Sequence, residues 1–148
     1  MLQIENVFDI ANYLKDKGFD LEPCSEDEVI SLEIHFNITF PQVYKNFLLR
    51  MGKGAGSYMR GTDAFFKDLF LLKSYAEETI SEYNLSPLPA DAFVFWMHQG
   101  YIYAYFVAEC ENPPVTVFYE SGRIIEFSTL FEFFKSELHL DGFIKIPG

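Results

Sequence analysis

Phe93-Val94-Phe95-Trp96-Met97-His98-Gln99-Gly100-Tyr101-Ile102-Tyr103-Ala104-Tyr105-Phe106 is the stretch that decides the fold. Aromatic and β-branched residues flank a Gln-Gly pair, the signature of two antiparallel strands joined by a tight turn. A two-residue turn at Gln99-Gly100 sets the register: His98 opposite Tyr101, Trp96 opposite Tyr103, Val94 opposite Tyr105. Side chains alternate across a strand, so these six share one face, while Phe93, Phe95, Met97, Ile102, Ala104 and Phe106 share the other. The second face is wholly apolar and is expected to meet helices; the first carries aromatics whose polar tips can meet water. Gln is not the residue a type I′ turn prefers before Gly, so a three-residue loop is the alternative, and a one-residue slip exchanges the faces.

Downstream, turn signals at Asn112-Pro113-Pro114 and Ser121-Gly122 predict a second hairpin. It pairs Glu120 with Arg123 as an exposed cross-strand ion pair and points Phe118, Ile125 and Phe127 inward. Leu130, Phe131, Phe134 and Leu138 then restore a helical period. Upstream, Asn6 is placed to cap a helix in which Val7, Ile10, Ala11 and Leu14 form one face and which Gly18 ends. Ser25 and Glu28 make a capping box for a second helix with Val29, Leu32 and Phe36 on one side. Pro41 at the first helical position, the Tyr44, Phe47, Leu48, Met51 spacing and Gly52 define a third. Phe65 to Leu72 is a short apolar stretch compatible with a strand, and Ser74-Tyr75-Ala76-Glu77 reads as another capping box, opening a helix that Tyr83 or Asn84 ends before Pro87.

The 148 residues are 49% hydrophobic and 22% charged, enough apolar content for one self-sufficient domain over 1–148, of α+β class. No repeat or linker divides them. A net charge of −11 argues against non-specific nucleic-acid binding, which rests on neutralising phosphates with Lys and Arg, and makes a basic partner the easier one to accommodate. The charge is uneven: nine acids and two bases from Met1 to Glu33, six bases and two acids from Lys45 to Lys73, eleven acids and two bases from Ala76 to Asp141. Cys24 and Cys110 have no metal-ligand or disulfide-framework spacing. The first residues lack the basic and apolar regions of a signal peptide, and the longest charge-free run, Ala92 to Ala108, suits a hairpin better than a membrane span. A cytoplasmic protein with no membrane partner is expected.

Chemistry-bearing motifs are sparse. Gly52-Lys53-Gly54-Ala55-Gly56-Ser57 superficially resembles a phosphate-binding loop, but it follows a helix and its Lys precedes the second Gly, so the glycines read as helix termination and turns. His35, His98 and His139 stand alone, and no Ser lies in a hydrolase elbow. Glu26-Asp27-Glu28 and Glu77-Glu78 read as first-turn acids favoured by the helix dipole. No catalytic, cofactor-binding or metal site is predicted. A small enzyme using Asp91, Glu109 or Glu111 requires paired carboxylates in a closed pocket. The surface formed by Trp96, His98, Tyr101, Tyr103 and Tyr105 is the candidate partner-binding face, since Trp and Tyr bring contact area at low entropic cost; helices on both sheet faces would abolish it.

The linear order resembles the SUKH superfamily, which includes the fungal Smi/Knr-type cell-wall synthesis regulators and many bacterial immunity proteins. The residues that carry the likeness are Val29-x2-Leu32-Glu33-x2-Phe36, Ile38-Thr39-Phe40-Pro41-x2-Tyr44-x2-Phe47-Leu48 and the Gly52 to Gly56 stretch. Phe95-Trp96, Gly100-Tyr101, Pro114-Val115 through Tyr119 and Ser128-x2-Phe131-x2-Phe134 are similar to the family's hairpins and closing helix. The resemblance implies one predominantly antiparallel sheet with packed helices, no enzymatic activity, no cofactor and a protein partner. That partner is either a basic toxin domain neutralised by an immunity protein or the machinery of cell-wall glucan synthesis.

Overall fold

The computed structural model describes residues 3–140; Met1, Leu2 and the segment 141–148, with Asp141 and Lys145 of the charge blocks, lie outside them. Local capping starts the first two helices as the sequence predicts. Asn6 accepts the Asp9 N–H at 2.9 Å to open α1 (Val7–Asp16). Ser25 and Glu28 satisfy each other's backbone donors at 3.1 and 2.9 Å to open α2 (Glu26–Phe36). A two-residue strand, β1 (Leu21–Glu22), lies between them. The third helix, α3 (Gln42–Met51), has Pro41 as its N-cap rather than as its first residue, and Pro41 supplies no side-chain cap.

The glycine run after α3 is held by packing. Gly54–Ala55 forms β2, which pairs with β1 as a two-stranded sheet. A Cβ on Gly52 would sit 2.5 Å from the Cys24 sulfur and 2.6 Å from the Leu48 carbonyl, so only glycine lets β1's end and α3 approach this closely. The Gly52 carbonyl then accepts the Phe66 N–H at 2.7 Å, tying α3 to the next helix.

That helix, α4 (Phe66–Glu82), corrects two expectations. Phe65 to Leu72 is not a strand and Ser74 opens nothing, because Leu69, Leu72, Ala76 and Thr79 make one continuous buried stripe through both segments. Ser74 sits inside the helix and donates its hydroxyl to the Leu71 carbonyl at 2.9 Å. Glu77 and Glu78 are therefore mid-helix residues. The helix stops with Asn84 in a left-handed conformation, φ 54°.

The main sheet is antiparallel throughout, in the order β3 (Thr62–Asp63), β4 (Ala92–His98), β5 (Ile102–Val107), β6 (Val115–Tyr119), β7 (Ile124–Phe127); α5 (Leu130–Leu140) closes the chain. Gln99 and Gly100 both have positive φ, 51° and 80°, as a type I′ turn needs. The ladder nevertheless starts at His98 with Ile102, with Met97 facing Tyr103 and Trp96 facing Ala104. A bulge between Val94 and Trp96 absorbs Phe95 and restores the predicted pairing of Val94 with Tyr105.

The bulge divides the expected faces. Phe93, Phe95 and Phe106 do meet the helices: Phe93 packs on Phe36 of α2 and Phe40 before α3, and Phe95 packs on Phe133 and Phe134 of α5. Trp96 joins that side against Phe133, with centroids 5.5 Å apart, while Met97 crosses to Tyr103's side. Tyr44 is the hub of this core, with ring contacts to Phe40, Phe47, Phe93, Phe95 and Phe106. The other sheet face, at β4 and β3, is covered by α4. In the second hairpin the Tyr119 N–H bonds the Arg123 carbonyl at 2.9 Å and the Tyr119 carbonyl accepts the Gly122 N–H at 2.9 Å, closing a three-residue loop. The predicted Glu120–Arg123 pair is absent, and the Arg123 guanidinium lies over the Tyr119 ring at 5.3 Å.

Candidate functional site

The five residues singled out from the sequence are not one surface. Trp96 and Tyr103 are 7% and 2% exposed, on opposite faces of the sheet. The bulge at Phe95 moves Trp96 and His98 to the α5 side, where their rings stack at 6.2 Å, and leaves Tyr103 and Tyr105 on the other side, each against Phe118. Tyr101 stays in the hairpin loop with its ring 5.6 Å from His98. His98, Tyr101 and Tyr105 are half-buried.

Tyr103 ties the hairpin to α4. Its hydroxyl is 2.7 Å from the Thr79 hydroxyl, 3.0 Å from the Gly100 carbonyl and 3.3 Å from the Tyr75 carbonyl. Burial raises its pKa above the usual phenol value, and the charges of Glu78 and Glu120 push in the same direction. Glu120 is also the main cause of a raised pKa at Tyr83, followed by Glu82. The Glu120 N–H bonds the Tyr101 carbonyl at 2.9 Å. The last turns of α4 and the tips of both hairpins thus converge on a zone of Tyr75, Glu78, Glu82, Tyr83 and Glu120. Sequence reading missed this zone because it placed Glu78 in a capping turn; the available signal was the i, i+3, i+7 spacing of Tyr75, Glu78 and Glu82 along a longer helix.

Elsewhere several polar groups are engaged in architecture, while burial first and the neighbouring Asp63 charge second raise the Asp68 carboxyl above its usual range. Glu111 accepts the Gln42 N–H through its carboxylate at 3.1 Å and the Val43 N–H through its carbonyl at 3.1 Å, supplying the cap that Pro41 cannot. Asn112 accepts the Phe131 N–H at 3.0 Å in the first turn of α5, so one loop caps two helices. Glu33, inside α2, accepts the Phe40 N–H at 2.8 Å and sits 3.7 Å from the Lys45 ammonium. Asp91 and Glu109 are exposed. Burial, and secondarily the Glu28 charge, pushes the Cys24 thiol up to about 12, which keeps it protonated and unreactive.

Among the described residues no group of His, Cys, Asp and Glu is arranged to hold a metal, and no helix is long and apolar enough to cross a membrane. An open groove of about 370 Å³ lies beside α2, lined by Ile30, Ile34, Asn37, Ile38 and Lys45. Compared with known families, residues 23–136 match the model of the SMI1 / KNR4 family (SUKH-1). No curated protein and no solved structure matches the chain.

Proposed function

The chain belongs to the SMI1 / KNR4 family (SUKH-1), and from that premise we propose that it is a single-domain, non-enzymatic protein-binding module of the cytoplasm, an immunity protein that masks a basic toxin domain. The observation that carries the partner's chemistry is the net charge of −11, which raises the encounter rate with a cationic surface and repels an anionic one. The use of Glu111 and Asn112 as helix caps, and of Glu33 to hold the Phe40 N–H and Lys45, supports a role without catalysis, since each of these polar groups has a structural partner. Free thiols at Cys24 and Cys110 accord with a reducing compartment. Of the five residues expected to form a partner-binding face, only His98 and Tyr101, half-buried and adjacent at the hairpin tip, stay in the proposal as partner contacts, because Tyr105 lies on the opposite sheet face and Trp96 and Tyr103 are buried under helices.

Affinity capture from the native host, followed by co-expression of the captured protein, tests this reading. It predicts a partner with a basic domain that arrests growth alone and is harmless with this chain. Capture of cell-wall glucan synthesis machinery, with no toxicity to suppress, would replace it by the regulatory reading. Turnover of a small molecule by the pure chain would overturn both.

A further inference from the structure

The outward side of α4 is an unpartnered helix face of mixed character. Leu71 and Tyr75 lie on successive turns, 50% and 40% exposed, and Glu78 and Glu82 continue the same stripe. Tyr83, 47% exposed, and Glu120 border it at the hairpin tips. The helix packs on β4 and β3, while Leu71, Tyr75 and Tyr83 keep between 40% and 50% of their surface. Large exposed apolar side chains beside uncompensated acids are a costly way to build an ordinary surface, because water gains little from Leu71 and the acids repel one another.

We propose that this face of α4, from Leu71 to Tyr83 together with Glu120, docks a basic protein segment in which Arg or Lys side chains alternate with apolar ones. The inference rests on the basic-partner reading above and gives it a location. Charge selects the occupant: the two ion pairs among the described residues are Lys45–Glu33 and Lys53–Glu28, and neither involves Glu78, Glu82 or Glu120. Glu78 and Glu82 can therefore receive a cationic segment without breaking either of those ion pairs, and Glu120, whose partner is the neutral Tyr83 hydroxyl, keeps its charge for it. The tyrosines add amphipathic contact area with few torsions to immobilise, and each offers its ring to a guanidinium. The platform is also preorganised, since Tyr103 fastens Thr79 and the Tyr75 carbonyl of α4 to Gly100 of the hairpin, so little ordering is needed on binding.

The outward side of α2 also sets exposed Ile30 and Ile34 beside Glu26 and Asp27, but has no tyrosine. The acids of α2's first turn include Glu28, already paired with Lys53 at 3.2 Å. The groove beside Ile30 and Ile34 mixes these isoleucines with Glu33, Asn37 and Lys45, and nothing points to its occupant.

The test uses the full chain, isotopically labelled, and a short synthetic peptide of alternating arginine and leucine, titrated at low and high salt. Amide shifts should concentrate in 71–83 and 120–123, and raising salt should weaken binding. The triple variant E78Q/E82Q/E120Q should lose about tenfold in affinity, and L71A/Y75A about fivefold with an unchanged salt slope. The control E26Q/D27Q, neutralising acids of similar exposure on α2, should change it by less than about twofold. All substituted side chains are at least partly exposed, and thermal melts of each variant verify folding independently. If the α2 control matters as much as the α4 variants, or the shifts map elsewhere, the location is overturned while the basic-partner reading stands. If the peptide shows no salt-sensitive binding, both fall.

Discussion

Glu111 does for α3 what Ser25 does for α2, but from a residue far away in the chain. Because its carboxylate accepts the Gln42 N–H, Glu111→Ala is expected to cost about 1 kcal/mol, read as a lower urea midpoint, whereas Glu109→Ala at a neighbouring exposed position should stay within about 0.5 kcal/mol. Equal effects of the two would remove the capping role. Tyr44 presents the opposite case. Its hydroxyl is fully buried with no hydrogen-bond partner among the described residues, and burial pushes its pKa well above the phenol range. Tyr44→Phe should therefore hold or raise stability, by up to about 1 kcal/mol, while Tyr103→Phe, which severs the bond to Thr79, should lower it by about as much. Glu28 supplies a pH dependence. The Ser25 backbone N–H first, and Lys53 second, hold its carboxyl below the usual range. A depressed folded pKa stabilises above the unfolded value and loses that contribution as pH falls through the folded one. The Tm advantage of the parent chain over Glu28→Gln should accordingly shrink on acidification from neutral pH; a constant or growing gap would contradict this.

At the scale of elements, what could be read from the sequence was what neighbours along the chain determine. Asn6, Ser25 and Glu28 cap where expected, since a cap is settled within four residues. Ser74 misled because Ser-x-x-Glu carries the same letters inside a helix as at its start; only the buried stripe of Leu69, Leu72, Ala76 and Thr79 separates the two cases. The bulge at Phe95 depends on what lies above and below the sheet, α5 on one side and α4 on the other, and no pattern in β4 announces it. Hence the partner face read from the sequence groups Tyr103, which is buried, with the wrong neighbours, and leaves the α4 acids beside it unnoticed. Two substitutions probe these elements. Gln99 holds φ at 51° without being glycine, so Gln99→Gly should stabilise the hairpin by about 0.5 kcal/mol in a thermal melt. Gly52→Ala should be severe, about 2–3 kcal/mol, because the new methyl meets the Leu48 backbone, which cannot rotate away as a side chain can. Combining it with Cys24→Ala should recover only part of that loss.

Taken whole, the molecule is a sheet fixed between α3 and α5 on one face and α4 on the other, with its aromatic core spent on cohesion and its polar groups on capping. What it presents outward is negative charge with tyrosines set among it. On the proposed function such a surface acts through the rate and selectivity of encounter, and long-range attraction of that kind is screened by salt over about 10 Å at 0.1 M ionic strength. The most direct measurement is the association rate constant of the purified chain with its captured partner as ionic strength is raised. The account predicts a fall of about tenfold or more between low and high salt, with the dissociation rate changing far less. An association rate indifferent to salt, or a partner whose binding surface is itself acidic, would contradict it.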